Sequence, residues 1–376
     1  MLLGIGPFKG GFEMLCHPKA SWLARKCLFL FAILVILSAA AALPVFADCK
    51  GSPEQYDVKI VPYLERTTAA NGFDDRCDYS KNGANDRRCT IRLVGALFVP
   101  KGHSTSDRLP ALIVNHGSEH TFPALSHLCT FANYFVPKGY IVFAPFRRGQ
   151  GDATDPTEKS TGIYVEDVVT DFTSGSPKYH HTTSCTTGDC YRSEILNRQA
   201  KEDVGAAMEY LKGRGDVKRG DDAGTFRIGI AGISYGGRVT VYANSYNLGQ
   251  LAAVAFSPAA EGWGGTCVPS DLTCGTSARQ TLMKAARGAT KPAFYLQAKW
   301  DYDTRPTIDL AYAHATGGGD PVHGSPYMSG IYGYKNPCPN HPCTKDDYQS
   351  IHAGFFGDAE TWGPPVLDFL QRSGVR

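Results

Sequence analysis

The sequence predicts an α/β protein: a mostly parallel central sheet with helices on both faces. Three observations carry this. From residue 90 onward, short apolar runs of strand length alternate with longer stretches at helical spacing, the pattern of successive βαβ units. Inner runs such as residues 109–114 and 140–145 are almost continuously apolar, as strands covered on both faces must be. Finally, Gly232-Ile233-Ser234-Tyr235-Gly236-Gly237 stands between an apolar run and a helical stretch. In such a G-x-S-x-G frame a sharp turn lifts the serine hydroxyl above the sheet. The flanking glycines leave room for the neighbouring strand and helix.

The chain has 376 residues and 43% hydrophobic content, enough to bury one large core or two smaller ones. Lys and Arg number 38 against 36 Asp and Glu, a net charge of +2. Beyond Arg25-Lys26 and Arg147-Arg148 no basic stretch stands out, so the electrostatic footprint of a nucleic-acid partner is missing.

Residues 1–47 read as a signal peptide with an N-terminal extension. Arg25 and Lys26 precede an apolar run over 28–42, and Val45-Phe46-Ala47 offers small residues for cleavage after Ala47. Met14 is a second candidate start. An uncleaved anchor is the competing reading, because residues 28–46 approach the roughly 20 that a membrane helix needs. Pro44 and the Ala47-Asp48 junction favour processing, which predicts a secreted or periplasmic protein with no stable membrane association afterwards.

Cysteine usage agrees with export. Of 12 cysteines, Cys16 and Cys27 lie in the leader, and the remainder is even. Cys185/Cys190, Cys267/Cys274 and Cys338/Cys343 are close pairs in loop-like sequence and suit short disulfide loops. Cys49, Cys77, Cys89 and Cys129 allow three connectivities. A zinc site from Cys338, His341 and Cys343 lacks a second ligand pair, and a disulfide is the better reading in an oxidising compartment.

Taken in order, residues 48–89 read as a polar, turn-rich segment tethered by disulfides. A catalytic domain follows over 90–376. Residues 90–99 partly alternate and predict an outer strand, 109–114 a central strand, 124–136 a helix and 140–145 the next strand. Residues 152–191, rich in Thr, Ser, Gly and His, read as an insertion near the pocket. Ala200, Val204, Ala207, Met208 and Leu211 then share one helical face, predicting a helix over 193–212. Strands are predicted at 227–231, 251–256, 292–298 and 327–332, and helices after residue 238 and over 307–315 and 360–371. Residues 261–288 form a second insertion with a short helix at 279–286.

A serine nucleophile needs an acid, a base and an oxyanion hole. Sites in such sheets lie at the carboxyl ends of the strands, and in this architecture the order is Ser, then Asp or Glu, then His. Asp301 and Asp303 directly follow the strand at 292–298, and either can equally cap the next helix. Of His314, His323, His341 and His352, only His352 falls between the last strand and the last helix. His352 is therefore the expected general base and acid. The amide after the nucleophile, at Tyr235, and that of Ser118 in the loop His116-Gly117-Ser118 are the expected oxyanion donors. His116 precedes the serine and is expected to shape that loop. Arg147 and Arg148 are weaker candidates for gripping a substrate carboxylate, with pairing to acids such as Asp152 as the structural reading.

Together Asn115-His116-Gly117, Arg147-Arg148-Gly149-Gln150-Gly151, the run from Arg198 to Asp203 and the Ser234 frame resemble the dienelactone hydrolase-like branch of the α/β-hydrolase superfamily. Gln297-Ala298-Lys299-Trp300-Asp301-Tyr302 is similar to that branch's acid loop, and this likeness, rather than spacing, singles out Asp301 over Asp303. Ile351 to Phe356 resembles its histidine loop, with an alanine in place of the usual His-Gly step. Dienelactone hydrolases proper use a cysteine nucleophile. Ser234 departs from them and points to general ester hydrolysis.

The resemblance implies a serine hydrolase acting on a small-molecule carboxylic ester, with no metal or organic cofactor. A peptidase resembling the prolyl oligopeptidase catalytic domain shares the elbow, and a non-catalytic binding protein on a hydrolase scaffold is the remaining alternative. Nothing in the pattern points to an oligomeric state.

Overall fold

The computed structural model describes residues 55–69, 88–118, 125–150, 160, 188–259, 263–264, 266–317, 327–333, 338 and 343–376. The leader and its cleavage site, most of the 152–191 insertion, Cys49, Cys77, Cys185, His323 and His341 lie outside them.

The described chain opens on two long strands, β1 (Tyr56–Ala69) and β2 (Arg88–Pro100), paired antiparallel. Next come β3 (Ala111–Asn115), α1 (Leu125–Phe135) with a 3-10 turn at Val136–Lys138, and β4 (Ile141–Pro145). The 26-residue α2 (Gly188–Gly213) leads to β5 (Ile228–Ile233), α3 (Tyr235–Ser245) and β6 (Ala252–Phe256). The chain closes with α4 (Ser277–Gly288), β7 (Ala293–Ala298), α5 (Arg305–Thr316), β8 (Tyr327–Tyr332), α6 (Lys345–Gly357) and α7 (Ala359–Arg372).

All eight strands join one sheet in the order β1-β2-β4-β3-β5-β6-β7-β8. From β4 to β8 every neighbouring pair is parallel, and β2 alone runs against the rest, antiparallel to both β1 and β4. Strands β3, β4, β5, β6 and β7 are buried along their whole length, which is why their sequences are apolar without alternation. Helices α2, α3, α4 and α5 pack together as one layer and α1, α6 and α7 as another. The stripe Ala200, Val204, Ala207, Met208 and Leu211 is fully buried in the first layer. In the second, Trp362 of α7 is fully buried, its ring 4.7 Å from Phe131 and 5.0 Å from Phe256. The predicted class is the observed one.

Two readings need correction. Within the supposed turn-rich segment 48–89, Tyr56–Ala69 is a full-length edge strand, with a register irregularity between Pro62 and Leu64. An edge strand tolerates Pro62 because one row of its N–H groups needs no partner. The histidine loop is instead helical: α6 carries His352 and is opened by a capping box between Thr344 and Asp347.

The second insertion is held by two fasteners. The Cys267–Cys274 disulfide closes it. Arg279 on α4 is fully buried and donates to the carbonyls of Asp271 (2.6 Å), Cys274 (2.9 Å) and Val268 (3.1 Å) and to Asp309 Oδ2 on α5 (3.3 Å). Cys338 and Cys343 form the second described disulfide, as the oxidising-compartment reading expected over zinc. Cys129 and Cys190 are disulfide-bonded too. Among the described residues, no helix is long and apolar enough to cross a membrane.

Candidate active site

β5 ends in the elbow. Ser234 takes φ 54 and ψ −115, a conformation L-residues rarely adopt, and α3 starts on the next residue. This turn is possible only because Gly232 and Gly236 lack side chains. A Cβ on Gly232 would strike the Gly236 carbonyl, and one on Gly236 would strike the carbonyls of Asn115 and His116. The Ser234 amide donates to the Phe256 carbonyl (2.9 Å), fixing the elbow to the end of β6. Ser234 is partly exposed among buried neighbours.

Because β3, β5, β6 and β7 are parallel, their carboxyl ends meet at one edge of the sheet, and each contributes there. From β7 comes Asp301, its side chain fully buried. His352 Nδ1 lies 2.9 Å from both Asp301 carboxylate oxygens. Two further donors fix the carboxylate: the Tyr302 amide to Oδ1 (2.8 Å) and Ser257 Oγ to Oδ2 (2.6 Å). Asp303 is engaged otherwise, accepting from the Arg305 amide and side chain at the start of α5 (2.9 Å each). That is the capping role left open for it.

The His352 ring stands 4.6 Å from Phe356 and 5.9 Å from Tyr302. Phe356 in turn packs on Phe256 (6.5 Å), whose carbonyl anchors Ser234. Ser234 and His352 thus both stand near the end of β6. Among the described residues no hydrogen bond joins them directly. His314, on α5, is fully buried beside Tyr295 (3.3 Å), and burial pushes its pKa down to about 4.

At the end of β3, Asn115 Nδ2 bonds the Ala231 carbonyl (3.3 Å) and Thr240 Oγ1 (3.0 Å), tying this strand to β5 and α3. His116 and Gly117 are buried and Ser118 is exposed. Burial and the neighbouring Arg147 hold His116 well below the usual imidazole range, so it is neutral. Tyr235, first residue of α3, has one of the amides that a helix leaves without an internal partner.

Neither arginine side chain lies open to a ligand. Arg148 is buried against Asp203 (Nη2 to Oδ1, 2.5 Å; Nε to Oδ2, 3.1 Å). Pairing with an acid is what the fold shows, but the acid is on α2; Asp152 lies outside the described residues. Arg147 is fully buried and donates to the Gly117 carbonyl (2.7 Å).

Ser257 was not among the sequence candidates. It is fully buried at φ 44, and its amide donates to the Leu296 carbonyl (2.8 Å). A serine directly after a strand at the site edge was the available signal, too common to single it out. Ser257→Ala is expected to lower kcat roughly ten- to a hundredfold, the effect of losing a hydrogen bond to a charged group. Ser257→Gly, which relaxes the positive φ, should lose as much activity without losing melting temperature. Equal kcat in wild type and both variants would rule this role out.

Among the described residues no group of three or more His, Cys, Asp or Glu side chains is placed to hold a metal ion.

No family model and no curated protein matches the chain. Solved structures do. An esterase of Pyrococcus furiosus superposes with a TM-score of 0.47 at 14% identity, covering 84% of this chain and 90% of that one. The ferulic acid-bound Est1E of Butyrivibrio proteoclasticus superposes at 0.42 and 16% identity, over 72% and 97%. The dipeptidyl peptidase 4 of Porphyromonas gingivalis gives 0.43 and 16%, over 81% of this chain but 36% of that enzyme. The chain thus spans about a third of the length of the dipeptidyl peptidase it matches. These are distant likenesses.

Proposed function

We propose that the protein is a serine hydrolase cleaving a small-molecule carboxylic ester on an α/β-hydrolase fold, with Ser234 after β5, Asp301 after β7 and His352 on α6 as its triad. One observation supports this above the others: His352 Nδ1 lies 2.9 Å from both oxygens of the buried Asp301 carboxylate, at the sheet edge that carries the strained Ser234. Strain held at an exposed nucleophile is a recurrent feature of reactive turns.

In this reading Asp301 accepts a hydrogen bond from Nδ1–H and so selects the tautomer whose Nε2 is basic. Substrate binding draws Ser234 and His352 together. Ser234 Oγ attacks the ester carbonyl while Nε2 takes its proton, and the amides of Tyr235 and Ser118 hold the oxyanion. His352 returns the proton to the leaving alcohol. Water, activated by the same imidazole, then releases the acid from the acyl-enzyme. The positive end of α3 adds to the stabilisation of negative charge. His116 is buried and its pKa is held well below the usual imidazole range, which makes it the weaker base.

The decisive comparison is between the two aspartates. Asp301→Asn is expected to lower kcat by about 10³–10⁴-fold, because the imidazole would settle in the wrong tautomer. Asp303→Asn should change it by less than about threefold, since only a helix start is weakened. The reverse order would refute the assigned acid. Fluorophosphonate labelling tests the class: folded wild type without an adduct on Ser234 is no serine hydrolase. Faster turnover of an aminoacyl-anilide than of p-nitrophenyl acetate would replace the ester reading by the peptidase one.

The Cys267–Cys274 and Cys338–Cys343 disulfides support an exported setting. We place cleavage of the leader after Ala47, and N-terminal sequencing of the exported protein checks it.

A further inference from the structure

We infer that Arg147 is a positioning residue for both oxyanion donors, acting from behind the site. The inference rests on the reading of Tyr235 and Ser118 as those donors.

Three observations converge. The Gly117 carbonyl that accepts from Arg147 Nη2 (2.7 Å) belongs to the same peptide unit as the Ser118 amide. No peptide bond described here is cis, and in a trans unit the C=O and N–H point in opposite directions. A carbonyl turned inward to a buried guanidinium therefore turns the Ser118 N–H outward, and Gly117 is buried while Ser118 is exposed. Without that grip the peptide plane, next to a glycine, is free to rotate and carry the donor away.

Second, the same guanidinium lies over the Tyr235 ring, 4.9 Å from its centroid. The Tyr235 hydroxyl is fixed from the other side by Gln199 Oε1 (3.0 Å) on α2. One cation thus braces the loop after β3 and the first residue of α3, the two places from which the oxyanion amides project.

Third, Arg147 is fully buried, and an arginine keeps its charge in such surroundings. A charge-assisted hydrogen bond to a carbonyl polarises the whole peptide unit and makes its N–H a stronger donor. His116, 3.5 Å away through Nδ1, is neutral and does not compete as a cation. This role replaces the substrate-gripping one weighed from sequence.

The test uses Arg147→Met and Arg147→Lys with p-nitrophenyl acetate as substrate and a trifluoromethyl ketone as tetrahedral mimic. Arg147→Met is expected to lower kcat about 10²-fold, the scale of one lost oxyanion donor. KM should stay within about threefold, and affinity for the ketone should fall by the same factor as kcat. Arg147→Lys, which keeps charge but not the fork, should fall between. If Arg147→Met does not fold, the lysine variant decides by the same two ratios. An unchanged kcat, a loss confined to KM, or a kcat loss with undiminished ketone affinity overturns the inference. Failure of the underlying reading looks different: wild type itself would then neither turn over the ester nor be labelled on Ser234.

Discussion

Ser234→Ala is expected to abolish ester turnover, a fall in kcat of about 10⁴-fold or more, while the protein stays folded. Nucleophile, base and acid act as a unit, so removal of the attacking atom costs about as much as removal of the whole set. What remains is the oxyanion hole and binding alone. The backbone sharpens the expectation. Ser234 sits at φ 54, which strains alanine as it strains serine, so Ser234→Ala should melt close to wild type. Ser234→Gly relieves the strain and should melt higher while equally inactive. A gain in stability with total loss of activity is the signature of a turn held strained for its reactivity. Intact mass after fluorophosphonate treatment checks the assignment, the adduct appearing on wild type and on neither variant. Appreciable ester turnover by Ser234→Ala would place the nucleophile elsewhere.

Gly236→Ala is expected to be strongly destabilising. An added Cβ would drive into the main-chain carbonyls of Asn115 and His116. Neither carbonyl can yield: Asn115 is a strand residue paired with Gly232, and the His116–Gly117 segment is braced by Arg147. Overpacking against flexible side chains costs about 1–3 kcal/mol, and collision with fixed backbone belongs at or above the top of that range. Gly288→Ala is the control, with nothing within 4 Å of its added Cβ. It should shift stability by no more than about 1 kcal/mol. Urea midpoints of the two variants measure the contrast. Equal midpoints would mean that the elbow is looser than its contacts imply.

The inner fold was legible because burial on both faces leaves a plain mark. β3 to β7 are runs that water never sees, and their sequences say so. β1 was legible but overlooked. Tyr56, Val58 and Ile60 alternate with Asp57 and Lys59, yet turn-rich flanks and Pro62 masked the alternation. Proline argues against a central strand, not against an edge strand with a bulge, which is what β1 is. In α6 the capping pair Thr344 and Asp347 was equally readable, while Gly354 and Gly357 suggested a loop. Site residues divided differently. Chain order and strand ends restricted the candidates to Asp301 or Asp303 and His352, a family likeness chose Asp301, and the fold sets Asp301 and His352 2.9 Å apart. Arg147, Arg148 and Ser257 act on partners 30 to 55 residues away, and only the folded sheet brings these together.

The loop grasped by Arg279 has a consequence for how the molecule matures. A seven-residue disulfide loop of this kind restricts the unfolded chain by about 2.5 kcal/mol in the chain-entropy picture. Yet three carbonyls of the same loop are already collected by a guanidinium that needs no oxidant. The two sulfurs can therefore be brought into register by ordinary folding, and oxidation afterwards only locks what is already shaped. Arg279 works as a jig for its own cross-link, holding the loop in the shape that the disulfide closes.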